Sequence, residues 1–136
     1  MNEPIKFTIF GNQEHADGNP IPYERSTQNG QWKPKVKRYN AWKDFVRWAL
    51  IDAAPDGYAR ELKLRTLRGE KPIDLGDKMA IMNIKIYWKN GVHGDCDNIW
   101  KGISDAIFQN DKHVGGSFSY EYSTDKKGKV EITIKI

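Results

Sequence analysis

Asp95, Asp97, Asp105 and Asp111, with Asn98 and Lys101 set between them, are the residues of this 136-residue chain whose types and spacing could do chemistry. Asp95 and Asp97 are two apart, so in extended chain both side chains leave the same side of the backbone. Asp is a favoured N-cap, and Asp97 is expected where a helix begins. Lys101 and Asp105 follow it at intervals of four and share one polar face of that helix. Ile99, Ile103, Ala106 and Ile107 form its apolar stripe. Gln109-Asn110-Asp111 is expected to end the helix. Such a helix is about 15–20 Å long, so Asp111 reaches the pair only if the following chain turns back toward the helix N-terminus. Three carboxylates without an apolar purpose, Asp95, Asp97 and Asp111, would suit a hard cation beside a lysine. Mg²⁺ takes a few carboxylates plus water and phosphate oxygens and is the natural occupant, with Mn²⁺ as its substitute. The alternative is a solvated helix cap among ordinary surface charges.

The stretch Asp95-Cys96-Asp97-Asn98-Ile99-Trp100-Lys101, then Asp105-Ala106-Ile107, then Asn110-Asp111-Lys112-His113-Val114 resembles the signature of the RusA family of Holliday junction resolvases. The likeness covers about twenty residues, with six or more polar positions in register. It implies that Asp95, Asp97 and Asp111 are metal-binding catalytic carboxylates and that Lys101 is the essential lysine. It also implies a homodimer, since resolving a four-way junction takes two symmetric nicks. Family members often sit in prophages. One position departs from the pattern: the family has two adjacent acids where this chain has Asn110-Asp111.

The elements that must position these residues can be read from periodicity. Ile5 to Phe10 alternates as a first strand. Gly11 to Gly30 is polar and rich in turn residues, and reads as a long, mobile loop, either a DNA-contacting flap or a passive connection. In Trp32-Lys33-Pro34-Lys35-Val36-Lys37-Arg38, Pro34 disfavours helix before it. An extended segment is expected there, projecting Lys33, Lys35 and Lys37 from one side with Trp32 and Tyr39 flanking. Basic residues interleaved with aromatics suit a phosphate backbone with unstacked bases; a solvated charged edge is the plainer alternative. Tyr39 to Ala53 is an amphipathic helix whose apolar face is Tyr39, Trp42, Phe45, Val46, Ala49, Leu50 and Ala53. Lys43 and Arg47 lie on its other side and extend the basic patch. The candidate DNA-binding set is therefore Lys33, Lys35, Lys37, Arg38 and Lys43.

Pro55 to Asp77 looks like an insertion holding a short basic helix, Tyr58 to Leu67. Lys78 to Lys89 alternates as a strand leading into the acidic motif. Phe118, Tyr120 and Tyr122 alternate as another, and Asp125 to Gly128 turns it into Val130, Ile132, Ile134 and Ile136, completing an expected hairpin. The order β–α–β–α–β–β makes residues 1–136 one α+β domain, with a mixed or mostly antiparallel sheet and helices packed on one face.

Bulk properties narrow the function class. The chain carries 22 Lys and Arg against 18 Asp and Glu, and the net charge of +4 points weakly to a polyanionic partner. The distribution says more: Gln31 to Lys71 is basic, and Pro72 to Asp111 is acidic. One cysteine excludes an intramolecular disulfide framework, so a reducing cytoplasm is expected. No stretch approaches a membrane span, and the charged start is not expected to be a signal peptide. His93, Cys96, Asp97 and His113 lack paired zinc spacing. An EF-hand is excluded because Ile99 and Trp100 stand where a ligand and glycine are required. Nothing orients a Cys96–His nucleophile pair. The expected function is a Mg²⁺-dependent, structure-specific endodeoxyribonuclease acting on four-way or branched DNA in recombination and repair. The alternatives are a branched-DNA-binding protein with an impaired nuclease centre and a Mg²⁺ enzyme of small phosphates.

Overall fold

The computed structural model describes residues 3–25, 30 and 33–136. Strand β1 (Ile5–Phe10) is followed by helices α1 (Pro34–Ala53) and α2 (Asp56–Leu67). Then come β2 (Ile73–Asp74), β3 (Ala80–Trp88), helix α3 (Cys96–Ile107), β4 (Phe108–Gln109), β5 (Val114–Tyr122) and β6 (Lys129–Lys135). The α+β reading holds: a mixed four-stranded sheet in the order β1-β6-β3-β5 carries the helices against it.

Period-two alternation builds the core side of this sheet. Ala80, Met82, Ile84, Ile86 and Trp88 of β3 are buried, as are Ile5, Phe7 and Ile9 of β1 and Val130, Ile132 and Ile134 of β6. Tyr39, Trp42, Val46 and Leu50 of α1 and Ile99, Ile103, Ala106 and Ile107 of α3 close over that side. Each fully buried isoleucine contributes about 2 kcal/mol of transfer free energy. Ala53, expected on the apolar face of α1, is exposed at the helix end, and Ile51 is buried.

The expected hairpin between the last two strands does not form. β6 pairs antiparallel with both β1 and β3, while β5 pairs parallel with β3 on its far side. The turn after Tyr122 therefore joins strands that β3 separates. Parallel strands need a crossover, and α3 supplies it between β3 and β5.

Two further boundaries differ from expectation. The segment holding Lys35, Lys37 and Arg38 is helical: α1 begins at Pro34, with Lys33 as its N-cap. Proline is suited to the first helical position, because its missing N–H would find no partner there. Trp32 lies outside the described residues. Helix α3 starts two residues early, with Asp95 at the N-cap and Asp97 inside the first turn, and it ends at Ile107 rather than at Asp111. Asn110 then takes a left-handed conformation (φ 66°, ψ 48°), which asparagine tolerates, and Asp111–His113 forms a short 3₁₀ turn.

Residues 11–19, the part of the loop directly after β1, are tied down by their own hydrogen bonds. The buried Asn12 accepts from the amides of Glu14 and His15 and donates to the Asn19 carbonyl. Asn19 in turn accepts from the Lys89 amide at 2.6 Å, tying the loop to the end of β3. Gly11 (φ +64°) is required in this loop, since a Cβ would meet the Ala16 carbonyl oxygen at 2.1 Å.

Candidate active site

Helices α1 and α3 lie side by side and run the same way. Tyr39 reaches Asp105, and Arg47, two turns on, donates to the Ala106 carbonyl at the end of α3. Their first turns therefore open at the same end of the domain. Gly102 makes the close approach feasible: a Cβ there would stand 3.2 Å from the Tyr39 ring and 3.4 Å from the Tyr23 amide nitrogen. Tyr23 and Tyr39 meet edge to face at 5.4 Å, and the Tyr23 amide donates to the Asn98 carbonyl.

Asp95 and Asp97 sit on the first turn of α3, with Cα atoms no more than about 7 Å apart, the reach of two residue steps. Both are exposed, and Asp95 makes no side-chain capping bond although it holds the N-cap position. Neither carboxylate has a hydrogen-bond or ion-pair partner among the described residues. Lys101, one turn after Asp97, is exposed and holds its ammonium 4.6 Å from the centre of the Tyr23 ring. This donor chemistry fits a hard cation: Mg²⁺ binds through one or two carboxylates and takes its remaining ligands from water and phosphate.

Asp111 is placed elsewhere. β5 starts beside Ala80, so the 3₁₀ turn carrying Asp111 lies at the beginning of β3. Asp95 lies at the other end. His93, two residues before it, stacks on Trp88 at 4.0 Å, and its Nε2 meets the Tyr122 hydroxyl at 3.1 Å. Strand β3 between these ends is about 26 Å long. The expected return of the chain toward the helix N-terminus is thus not made within one chain. Among the described residues, no three His, Cys, Asp or Glu side chains stand together as a metal-holding group. Asn110 has a conformational task of its own, and its amide lies 3.4 Å from the Gly76 carbonyl and 3.5 Å from the Asp74 carboxylate.

Asp105 is a structural anchor, and its partners are not Lys101. It accepts from the Tyr39 hydroxyl at 2.6 Å and from Lys71 at 3.0 Å, with Lys43 at 3.5 Å. Burial pushes its carboxyl upward, but the Tyr39 and Lys71 hydrogen bonds and the Lys43 charge outweigh that and hold it below the usual carboxylate range. The same contact, after burial itself, drives the Tyr39 hydroxyl far up. Sequence reasoning missed Tyr39 and Lys71 here, because partners 66 and 34 positions away leave no local signal. Lys71 also gives the Pro55–Asp77 insertion a role, reinforced where β2 pairs parallel with β4 directly after α3.

Of the basic set, Lys33, Lys35, Lys37 and Arg38 are exposed around the first turn of α1, a turn that itself holds no acidic residue. Arg38 pairs with Glu14 and lines a cleft of about 430 Å³ with His15, Asn19, His93 and Gly94. That cleft lies beside the segment leading into Asp95. Lys43 differs from the others, since its charge is turned inward to Asp105 and the Tyr39 ring. Burial, the largest influence, raises the Cys96 thiol despite an opposing Trp88 contact, and Asp95 and Asp97 push it the same way, which disfavours a thiolate nucleophile.

The chain matches no protein-family model, and no curated protein sequence matches it. Among the described residues, no helix is long and apolar enough to cross a membrane.

Proposed function

We propose that this protein is a divalent-metal-dependent endonuclease of branched DNA, of the kind that resolves four-way junctions as a homodimer. The observation that carries this reading is the parallel packing of α1 on α3. It sets four exposed basic residues and two unpartnered carboxylates toward one end of the domain, where Arg38 and Gly94, the residue before Asp95, line one cleft. Cations to hold a phosphate backbone and carboxylates to hold a metal beside it are the two requirements of phosphodiester hydrolysis.

In this mechanism Asp95 and Asp97 are the residues that would hold Mg²⁺ or Mn²⁺ at the start of α3. The metal, when bound, supplies an activated water and polarises the scissile phosphate. Lys101 stabilises the negative charge that builds on the phosphoryl oxygens or on the departing 3′ oxygen. Lys33, Lys35, Lys37 and Arg38 grip the backbone of the DNA arms, and Lys43 acts through Asp105 by fixing α1 to α3. The compartment consistent with this activity and with the single cysteine is the cytoplasm.

The test is cleavage of a synthetic four-way junction in Mg²⁺, with EDTA as the control. Paired nicks that vanish in EDTA support the reading. Asp97→Asn is expected to abolish nicking while leaving junction binding intact or tighter, and retained nicking would remove Asp97 from the mechanism. The second reading, a branched-DNA-binding protein without nuclease activity, draws on the separation of Asp111 from the pair and on the structural use of Asn110. Junction binding without nicks in either metal would favour it.

A further inference from the structure

Strand β1 forms the edge of the sheet opposite β5, and its outer side has no strand partner among the described residues. One bond fixes the direction of its backbone groups. Gly11, which continues β1, donates to the Gly128 carbonyl at 2.8 Å, so its peptide groups face β6. Successive residues of a strand point their N–H and C=O to alternate sides. Ile5, Phe7 and Ile9 therefore share the direction of Gly11, and Lys6, Thr8 and Phe10 turn theirs outward. Lysine blunts an exposed edge, and Lys6 does so at the first end of β1 only. The other end is uncharged from Thr8 on, and Phe10 there is 67% exposed.

Helix α1 is broader than the strand it covers. Trp42, Val46 and Leu50 are fully buried. The neighbouring stripe, Phe45, Trp48, Ala49 and Asp52, recurs at intervals of three and four and is half-buried or exposed. With Thr8 and Phe10 it lines a cleft of about 310 Å³. No residue of β6 or β3 lines this cleft, so it lies over the outer side of β1. The helix thus overhangs the open edge and roofs the place of a strand that the described chain does not supply.

Charge narrows what fits there. Asp52 follows Trp48 by one turn, so both can reach one group. Its carboxylate has no hydrogen-bond or ion-pair partner among the described residues, and no cation lines the cleft. An indole face attracts a cation, and a carboxylate beside it strengthens the attraction. A second copy of β1 suits the place poorly. Antiparallel pairing would bring the copy's own α1 over the same edge, on the same face of the sheet, into the space the cleft provides.

We infer that an extended, basic segment of another protein docks along the outer edge of β1 as a fifth strand, with apolar side chains against Phe45 and Ala49 and a lysine or arginine between Trp48 and Asp52. Main-chain bonds to Lys6, Thr8 and Phe10 give affinity, and the α1 stripe gives sequence preference. This surface owes nothing to the endonuclease reading and stands whether or not the chain cuts DNA.

The test is selection from a display library of random peptides about ten residues long, with the whole chain as bait. Two variants direct it. Thr8→Pro removes one outward N–H and leaves the bonds to β6 whole, the setting in which an edge strand tolerates proline. Asp52→Lys reverses the charge at an exposed helix position. Selected peptides should alternate apolar residues around a lysine or arginine. Fluorescence anisotropy of a labelled selected peptide should show binding lost in Thr8→Pro and about tenfold weaker in Asp52→Lys. Glutamate in place of the peptide's basic residue should reverse the order, so that Asp52→Lys binds more tightly than wild type. Circular dichroism checks that the variants fold, and the charge swap decides alone if Thr8→Pro does not. No enrichment, a consensus without a basic residue, binding indifferent to a folded Thr8→Pro, or no reversal overturns the inference. A mass by light scattering that halves in Thr8→Pro gives the edge to a second copy and overturns it as well.

Discussion

Replacing Asp105 with asparagine tests whether α1 and α3 are held in place by one mostly buried carboxylate. The side chain is 24% exposed, and its cationic partners Lys43 and Lys71 are 19% and 30% exposed, so solvent screens the cluster only in part. Asparagine keeps the shape and can still accept from the Tyr39 hydroxyl. It removes the counter-charge of two lysines, one of them at full hydrogen-bond distance. A charge-assisted hydrogen bond of this kind is worth about 1.5–3 kcal/mol, and the weaker Lys43 contact adds a fraction of that. We expect Asp105→Asn to cost about 2–3 kcal/mol, or roughly 8 °C in Tm for a domain of this size. Urea and thermal denaturation monitored by tryptophan fluorescence provide the measurement. Because the folded carboxyl is held below the ordinary value of 3.8, its contribution is complete above that pH and is lost as pH falls through the lowered value. The gap between wild type and variant should therefore be constant near neutrality and close in acid. A cost below about 0.5 kcal/mol, the level of an exposed ion pair, or a gap that persists unchanged in strong acid, would refute the anchoring role.

Further outcomes follow from the same geometry. Lys101→Ala should lower junction cleavage about 10²–10³-fold with little change in binding, as expected when a group acts on charge developing in the transition state; equal losses in both would reassign it to binding. Lys35→Ala should weaken binding across DNA sequences and reduce the slope of log affinity against log salt by about one. An unchanged slope would place Lys35 off the phosphate backbone. Cys96→Ser should retain metal-dependent nicking, and the wild-type thiol should alkylate slowly at neutral pH because burial raises it. Complete loss of activity in Cys96→Ser would reopen a role for the sulfur.

Much of this fold is legible where local periodicity and burial coincide. Ile99, Ile103, Ala106 and Ile107 read as one stripe in sequence and are all fully buried. The alternations in β1 and β3 behave likewise. At β5 the same rule finds the strand, but alternating aromatics do not tell whether anything covers it, and eight of its nine residues are exposed. Pro34 illustrates a different ambiguity. A proline that forbids helix before it is equally suited to begin one, and only the packing of Val36 and Tyr39 decides between the two. The hairpin failed as an expectation because Asp125 to Gly128 encodes a chain reversal, whereas the choice of neighbour belongs to the whole sheet. At the site, Asp95, Asp97 and Lys101 were legible because they share one helix end. The position of Asp111 was not, since it depends on β3 and β5 being parallel, which makes the crossover carry it to the opposite end.

The placement of β6 also governs the order in which the chain can acquire its shape. Among the described residues β1 has no sheet neighbour except β6, which wedges between it and β3 from the far end of the sequence. Until that late segment arrives, the earliest strand can only lean on α1, and closing the sheet must wait for a contact that spans nearly the entire polypeptide. Pairings of such long sequence separation fold slowly. The β3–α3–β5 crossover, local in sequence, is thus the natural first unit to assemble, and Asp95 and Asp97 on it take up their places at the start of α3 before the sheet beneath them is complete.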